Sequence, residues 1–273
     1  MIDYGKHNIL GIGVSAIDYD SAVQQIMDAA QQRESMSVTA LAVHGVMTGA
    51  LDREHAFRLN QFDLVCPDGQ PVRWALNRLH RRRFGGPTLE DRVYGPELTL
   101  RLCRAAAKHD VPIYLFGATD EMLKQFASKL TAQFEGLRIA GMRESAFRQI
   151  SPAERDALAE EINASGAGIC FVGLGCPRQE VFAYEMRDRC HMPLIAVGAA
   201  FAFHAGMLEQ APAWMQDRGL EWLYRLTREP GRLWRRYLYL NPAYVGLLTL
   251  QKLGLFARCP NQDQPPREEL LFG

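Results

Sequence analysis

Gly168-Ile169-Cys170-Phe171-Val172-Gly173-Leu174-Gly175-Cys176-Pro177-Arg178-Gln179-Glu180 is the stretch whose reading decides the fold. Its apolar run, residues 169–172, suits a strand buried on both faces. The chain then turns through Gly173 and Gly175. Pro177 stands where a first helical turn accepts proline, because an N–H there has no intrahelical partner. Strand, glycine turn and helix start together make a place where backbone N–H groups face an anion. Gln179 and Glu180 would project beside it. The same pattern also serves as an ordinary strand-to-helix turn, so the neighbouring segments must decide.

Outward from this stretch, strand patterns at 8–14, 36–43, 62–66, 111–116, 137–141 and 192–197 alternate with helical ones. The helices start near Asp20, run over 47–59 and 71–79, end near His109, and resume after Thr119-Asp120 and at the capping box Ser151-Pro152-Ala153-Glu154. This alternation predicts an α/β fold: a mostly parallel Rossmann-like sheet with helices on both faces. Asp68 closes the third strand in Pro67-Asp68-Gly69. It is read either as a turn residue or as a carboxylate at a strand's C-terminal end, where α/β proteins commonly place chemistry.

After Pro212 the character changes. Residues 218–258 hold eight basic residues against two acidic ones, although the whole chain is formally neutral. Trp214, Trp222, Trp234, Tyr237 and Tyr239 crowd into the same segment, and Glu229-Pro230-Gly231 breaks its helical pattern. Residues 238–256 are apolar but interrupted by Asn241-Pro242. That is too short and broken to span a bilayer. It suits a helix lying in a membrane interface with snorkelling arginines, or a helical layer packed on the core. The division expected is an α/β core over 1–211, a basic, aromatic helical appendage over 212–258 and a polar tail over 259–273. Six cysteines without C-x-x-C spacing and a polar start without a signal peptide point to a reducing, cytoplasmic setting. Basic residues mixed into apolar sequence argue against nucleic acid as a partner.

Several stretches together resemble the WecG/TagA/CpsF family, glycosyltransferase family 26. They are Cys66-Pro67-Asp68-Gly69, Arg92-Val93-Tyr94-Gly95, Leu115-Phe116-Gly117, residues 172–180, Val197-Gly198-Ala199-Ala200-Phe201, Ala211-Pro212 with Trp214, and the run 219–226 with Glu229-Pro230, Arg232-Leu233 and Arg235. The resemblance implies a bacterial hexosyltransferase that works by inversion, with neither a metal nor another cofactor. It would move a sugar from a UDP-sugar donor to a polyprenyl-diphosphate-sugar acceptor, undecaprenyl diphosphate being the carrier, in exopolysaccharide or related surface polysaccharide biosynthesis. It also implies an appendage that closes over the site and seats a peripheral, self-associating homo-oligomer on the cytoplasmic membrane face. The family's catalytic aspartate matches Asp68, and its arginines match Arg225, Arg232 and Arg235. Gln179 matches a substrate-binding glutamine, and Arg178 replaces the lysine before it. Arg92, His44, Gly173 and Gly175 stand with them as candidate substrate-binding residues; no metal ligands are expected.

The sequence departs from the family pattern where Thr-x-Asn becomes Ala40 and Ala42, with Thr39 and His44 adjacent, and where an aspartate becomes Ala202. A non-catalytic member that binds nucleotide-sugar or lipid and scaffolds polysaccharide assembly is therefore the alternative. A dinucleotide-dependent oxidoreductase or epimerase fits less well, because Gly11-Ile12-Gly13 is followed by Ala16 where a third glycine belongs.

Overall fold

The chain begins with a β-hairpin, not with a single strand. In the computed structural model, which describes residues 1–260 and 263–273, β1 (Asp3–Ile9) pairs antiparallel with β2 (Ile12–Ile17). The stretch 8–14 reads as one strand, yet Leu10 (φ 54°) and Gly11 (φ 91°) both take positive φ and fold it back. That is the geometry of a tight two-residue hairpin turn. The hairpin lies along the outer side of β4 (Leu64–Pro67), where Val65 N–H donates to Ser15 Oγ at 3.1 Å. An edge strand covered in this way offers less open ladder to other chains.

Six strands form one parallel sheet in the order β4, β3 (Met36–Leu41), β8 (Pro193–Ala196), β7 (Ile169–Gly173), β5 (Ile113–Gly117) and β6 (Ile139–Arg143). Side chains alternate between two cores, as a period of two requires. On one face Cys170, Val172 and Phe116 pack with α2 (Val43–Leu51), α3 (Arg53–Asn60), α4 (Gln70–His80), α7 (Pro152–Ala164) and α8 (Arg178–Met186). On the other, Ile169, Phe171 and Leu115 pack with α1 (Tyr19–Gln32), α5 (Gly95–Lys108), α6 (Asp120–Gln133) and α9 (Gly198–Ala205). The predicted helix over 47–59 is two helices, because Asp52 caps the second by accepting from Glu54 and His55 N–H.

The connections after β5 and β7 leave in opposite directions, which opens a crevice at the C-terminal edge of the sheet. Two glycines meet there: a Cβ on Gly117 (φ 102°) would stand 2.9 Å from the Gly173 carbonyl carbon. No side chain fits between these backbones.

The appendage is α10 (Ala213–Asp217), α11 (Glu221–Arg228) and α12 (Pro230–Lys252). The break at Glu229-Pro230 falls as the sequence indicates. Asn241-Pro242, by contrast, does not interrupt α12, which Leu233 and Tyr244 anchor in the core on either side. Gln251, in its last turn, accepts from Leu10 N–H and donates to the Asn8 carbonyl, each at 3.0 Å. The described residues of the tail lie along the core. Arg58 donates to the Glu268 carbonyl (3.2 Å), Arg155 pairs with Glu269 (2.5 Å), and Ile150 N–H donates to the Leu271 carbonyl (2.9 Å). Among the described residues no helix is long and apolar enough to cross a membrane.

Candidate active site

Asp68 follows β4 directly. Its N–H donates to the Leu41 carbonyl (3.3 Å) and Val93 N–H donates to the Pro67 carbonyl (2.9 Å), so the strand ends and the loop 92–95 move together. Gly95 N–H then donates to Asp68 Oδ1 at 2.8 Å. Glycine permits this approach, since a Cβ there would stand 3.1 Å from the Ala40 methyl. Burial drives the Asp68 pKa up, and Glu221 adds to the rise; Arg92, the Gly95 N–H and Arg225 oppose it, leaving it at about 6. Such a carboxylate is mostly ionised at neutral pH yet basic enough to accept a proton.

Arg92, read from the sequence as a substrate contact, is buried and already engaged. It donates to Glu221 Oε2 (2.9 Å) and to Gln216 Oε1 (2.8 Å), and its guanidinium lies 4.0 Å from the Tyr94 ring centre. Tyr94 Oη donates to the other Glu221 oxygen at 3.1 Å. Both Glu221 and Gln216 belong to the appendage. Arg92 is therefore the bolt between appendage and core, and it lies close enough to Asp68 to hold down that residue's pKa.

Glu221 and Arg225 are one turn apart on α11, so both face the Asp68 side. The Arg225 side chain is half-buried, its Nε has no hydrogen-bond partner among the described residues, and its guanidinium carbon is 5.9 Å from the Phe203 ring centre on α9. The other two predicted arginines lie elsewhere. Arg232 is exposed and pairs with Glu229 at 2.6 Å, while Arg235 is exposed over its neighbour Trp234. Arg236 is the residue the sequence reading missed. It is half-buried, makes no hydrogen bond or ion pair among the described residues, and lies within electrostatic reach of Arg225, Arg232 and Cys176. Burial pushes its pKa down, and the two arginines add to that. Helical spacing was the available signal: Arg236 follows the buried Leu233 by three residues and shares its face, whereas Arg235 is turned about 160° from Leu233.

His44, in the first turn of α2, joins this group. Burial and the nearby Arg236, His55 and Arg225 push its pKa down to about 4, so at neutral pH the ring is uncharged. Ala42 is the N-cap of α2 and has no side chain to cap it; its methyl faces Gly69, beside Asp68. Thr39 does not take over that place, since its hydroxyl points into the core and donates to Glu180 Oε1 at 3.1 Å. Ala202 lies within α9, where its carbonyl accepts from the Met207 and Leu208 N–H groups that close the helix.

The opening stretch plays another part than its pattern indicates. Pro177 precedes α8 as its N-cap. Gln179 and Glu180, expected to project beside an anion, are buried. Gln179 Oε1 accepts from Gly175 N–H (3.1 Å) and from Gly198 N–H (2.8 Å), and its Nε2 donates to Glu180 Oε1 (2.9 Å). Gly175 thus turns its N–H to Gln179, and Gly173 is packed against the Phe201 ring. Burial raises the Glu180 pKa against the pull of these donors. One amide side chain stitches together the loops after β7 and β8 at the C-terminal edge of the sheet.

At the C-terminal edge of the sheet, Asp68 and His44 thus both lie within electrostatic reach of Arg225, and His44 of Arg236 as well, the two arginines coming from the appendage. Among the described residues no group of three or more His, Cys, Asp or Glu side chains is arranged to hold a metal ion. A profile of the glycosyl transferase WecG/TagA/CpsF family matches residues 7–258, a span that contains all of these site residues, and the chain belongs to that family.

Proposed function

We propose that this glycosyltransferase moves a sugar, with inversion and without a metal, from a UDP-sugar to a polyprenyl-diphosphate-linked sugar. The observation that carries the reading is one juxtaposition: a carboxylate with a pKa of about 6 within electrostatic reach of Arg225, which stands with Arg236 near His44, the two guanidiniums half-buried and without ion pairs among the described residues. Asp68 takes the proton from the acceptor hydroxyl as that oxygen attacks the anomeric carbon. The bond from that carbon to the diphosphate oxygen breaks, and its electron pair leaves with UDP. Arg225 and Arg236 receive the charge that develops on the diphosphate through charge-assisted hydrogen bonds. Neutral His44 offers a further hydrogen bond without repelling the arginines. Gln179 acts through the two loops it joins.

The appendage suits a membrane surface. Leu238, Tyr239 and Val245 are about 60% exposed or more on α12, and Trp234 lies half-exposed among the arginines. Apolar and aromatic side chains with a basic surround favour an anionic lipid interface. We place the protein on the inner face of the cell membrane, where a lipid-linked acceptor would be met; a second copy of the chain is the other way to cover these residues.

Ala40, Ala42 and Ala202, which lack the polar groups of the family pattern, favour a second reading as a non-catalytic binding member. UDP release from a panel of UDP-sugars, with short-chain prenyl-diphosphate sugars as acceptors, separates the two. Release that depends on acceptor and is lost in Asp68→Asn supports the transferase. Silence with UDP still bound supports the second reading.

A further inference from the structure

The tail lies beyond the span that the family profile matches, yet the core holds it in a groove. Asp263, paired with Arg258 at 2.7 Å, fixes where it starts. Residues 264–267, with Pro265-Pro266, then cross to α3 largely exposed. From Glu268 onward most polar contacts go to the tail's main chain. Arg58 donates to the Glu268 carbonyl (3.2 Å), Ile150 N–H to the Leu271 carbonyl (2.9 Å) and Ser145 Oγ to the Gly273 carbonyl (2.6 Å), while Gly273 N–H donates to the Arg148 carbonyl (3.3 Å). Gln149 and Phe272 face each other as an antiparallel bridge. This is strand addition, in which main-chain bonds supply affinity and alternate side chains supply selectivity. Selection here falls on every second residue: Glu269 pairs with Arg155 on α7, Leu271 is buried, and a Cβ on Gly273 would overlap Ile150.

The floor of the groove carries a charge pair that is poorly satisfied by the core itself. Arg58 is only 2% exposed and lies 3.7 Å from Glu185, too far for a hydrogen bond. Arg58 Nε and Glu185 Oε1 have no hydrogen-bond partner among the described residues. A buried pair held so loosely adds little to stability, so its placement marks a site for the polar groups of a ligand. Burial raises the Glu185 pKa and Glu269 adds to the rise; Arg58 and the Leu270 N–H oppose it, so the tail's charge and backbone both reach this carboxylate. We infer that Arg58, Arg155, Glu185 and residues 145–150 form a binding groove for an extended peptide, read mainly through its main chain, and that residues 268–273 are its ligand in cis, held as a unit that can leave. Leaving costs little, because of these residues only Leu271 and Gly273 are buried. A peptide that repeats the pattern of an acidic residue, an apolar residue and a glycine at alternate positions fits the vacated groove.

The test uses the full chain, its Leu271→Asp variant and a synthetic peptide with the sequence of residues 268–273. Hydrogen exchange at the Ile150 and Gly273 amides should be slow in the unaltered chain. In Leu271→Asp it should speed up at least about tenfold, with β7 and β8 still protected. Arg155→Glu should release the tail in the same way, and adding Glu269→Arg should restore protection. Saturation-transfer NMR should show the peptide bound to the Leu271→Asp chain. The unaltered chain should bind it at least about tenfold more weakly, since a tethered tail competes at an effective concentration on the order of millimolar. Gly273→Ala in the peptide should weaken binding by a similar factor. Rapid exchange at Ile150 in the unaltered chain, no restoration by the charge exchange, equal peptide binding by both chains, or indifference to Gly273→Ala would each overturn the groove. Protection that disappears on dilution, together with a fall in mass from two chains to one, would put the tail on a second copy and overturn its docking in cis.

Discussion

Arg92 and Glu221 meet at 2.9 Å between the loop above β4 and the first turn of α11, both nearly buried. Removing one partner of a buried pair leaves the other charge without compensation, at about 3–5 kcal/mol. Glu221→Ala should therefore release the appendage more than it unfolds the core. Hydrogen exchange should accelerate across residues 213–228 and stay slow in β7 and β8. Uniform acceleration would show that the two parts do not separate.

Asp68 sets an acid limb. Its pKa of about 6 means that the proton-accepting form is lost as pH falls through that value. Turnover should fall below pH about 6, and Asp68→Asn should lower it by about 10²–10⁴ at neutral pH. Glu221 helps to raise this pKa, so Glu221→Gln should move the limb to lower pH. The stability sign is opposite. A carboxyl whose pKa is raised on folding makes the fold less stable as pH climbs from about 4 to about 6. Asp68→Asn should thus raise Tm at pH 7 and leave it unchanged near pH 3. An unshifted Tm at pH 7 would mean that Asp68 is no more basic in the fold than in the unfolded chain.

Arg236 and Arg235 are adjacent in sequence and differ in placement. Arg236→Ala should raise the donor KM or lower kcat about 10–100-fold, the worth of a charge-assisted hydrogen bond of about 1.5–3 kcal/mol. Arg235→Ala should change either constant less than about threefold in detergent, where membrane binding does not enter. The reverse order would return the diphosphate to Arg235. Chelator treatment should leave all of these rates unchanged.

Gln179→Ala would leave the Gly175 and Gly198 N–H groups without their acceptor, at about 1–3 kcal/mol each. Tm and kcat should fall together, with exchange faster at both glycines. A loss of substrate affinity with normal Tm would instead assign Gln179 a direct contact.

Leu238→Ser with Trp234→Ser removes apolar area from the exposed face of α12. Flotation with anionic vesicles should weaken while turnover on a short, soluble acceptor persists. Unchanged flotation alongside a smaller oligomer would identify the face as a contact between copies.

The strands of the sheet were legible because buried parallel strands are written as short apolar runs bounded by glycine, as 169–172 shows. Asp68 was legible for a related reason: a strand's end is a fixed address. The hairpin was hidden because Leu10 takes positive φ without being glycine, and the split at Asp52 because an N-cap inside a helical pattern resembles any polar position. The arginines show the limit of motif reading. Resemblance pointed to Arg235, whereas the phase of α12 turns Arg236 inward. Gln179 misled because its pattern marks a polar residue at a helix start and says nothing of which way it points. A cavity beside Arg92 had no signature, since α4, α5, α9 and α10 supply its walls from distant parts of the chain.

Gln251 closes the turn of the first hairpin across 243 residues of sequence from Asn8. Contacts so remote in sequence form late, because the loop between them must close before they contribute. During synthesis the β1–β2 hairpin would be made early and wait, its turn amide and carbonyl in water, until α12 has left the ribosome. The core can collapse without this contact. The last event in maturation would then be the seating of the appendage, so that the base acquires its arginines only once the chain has been made through α12.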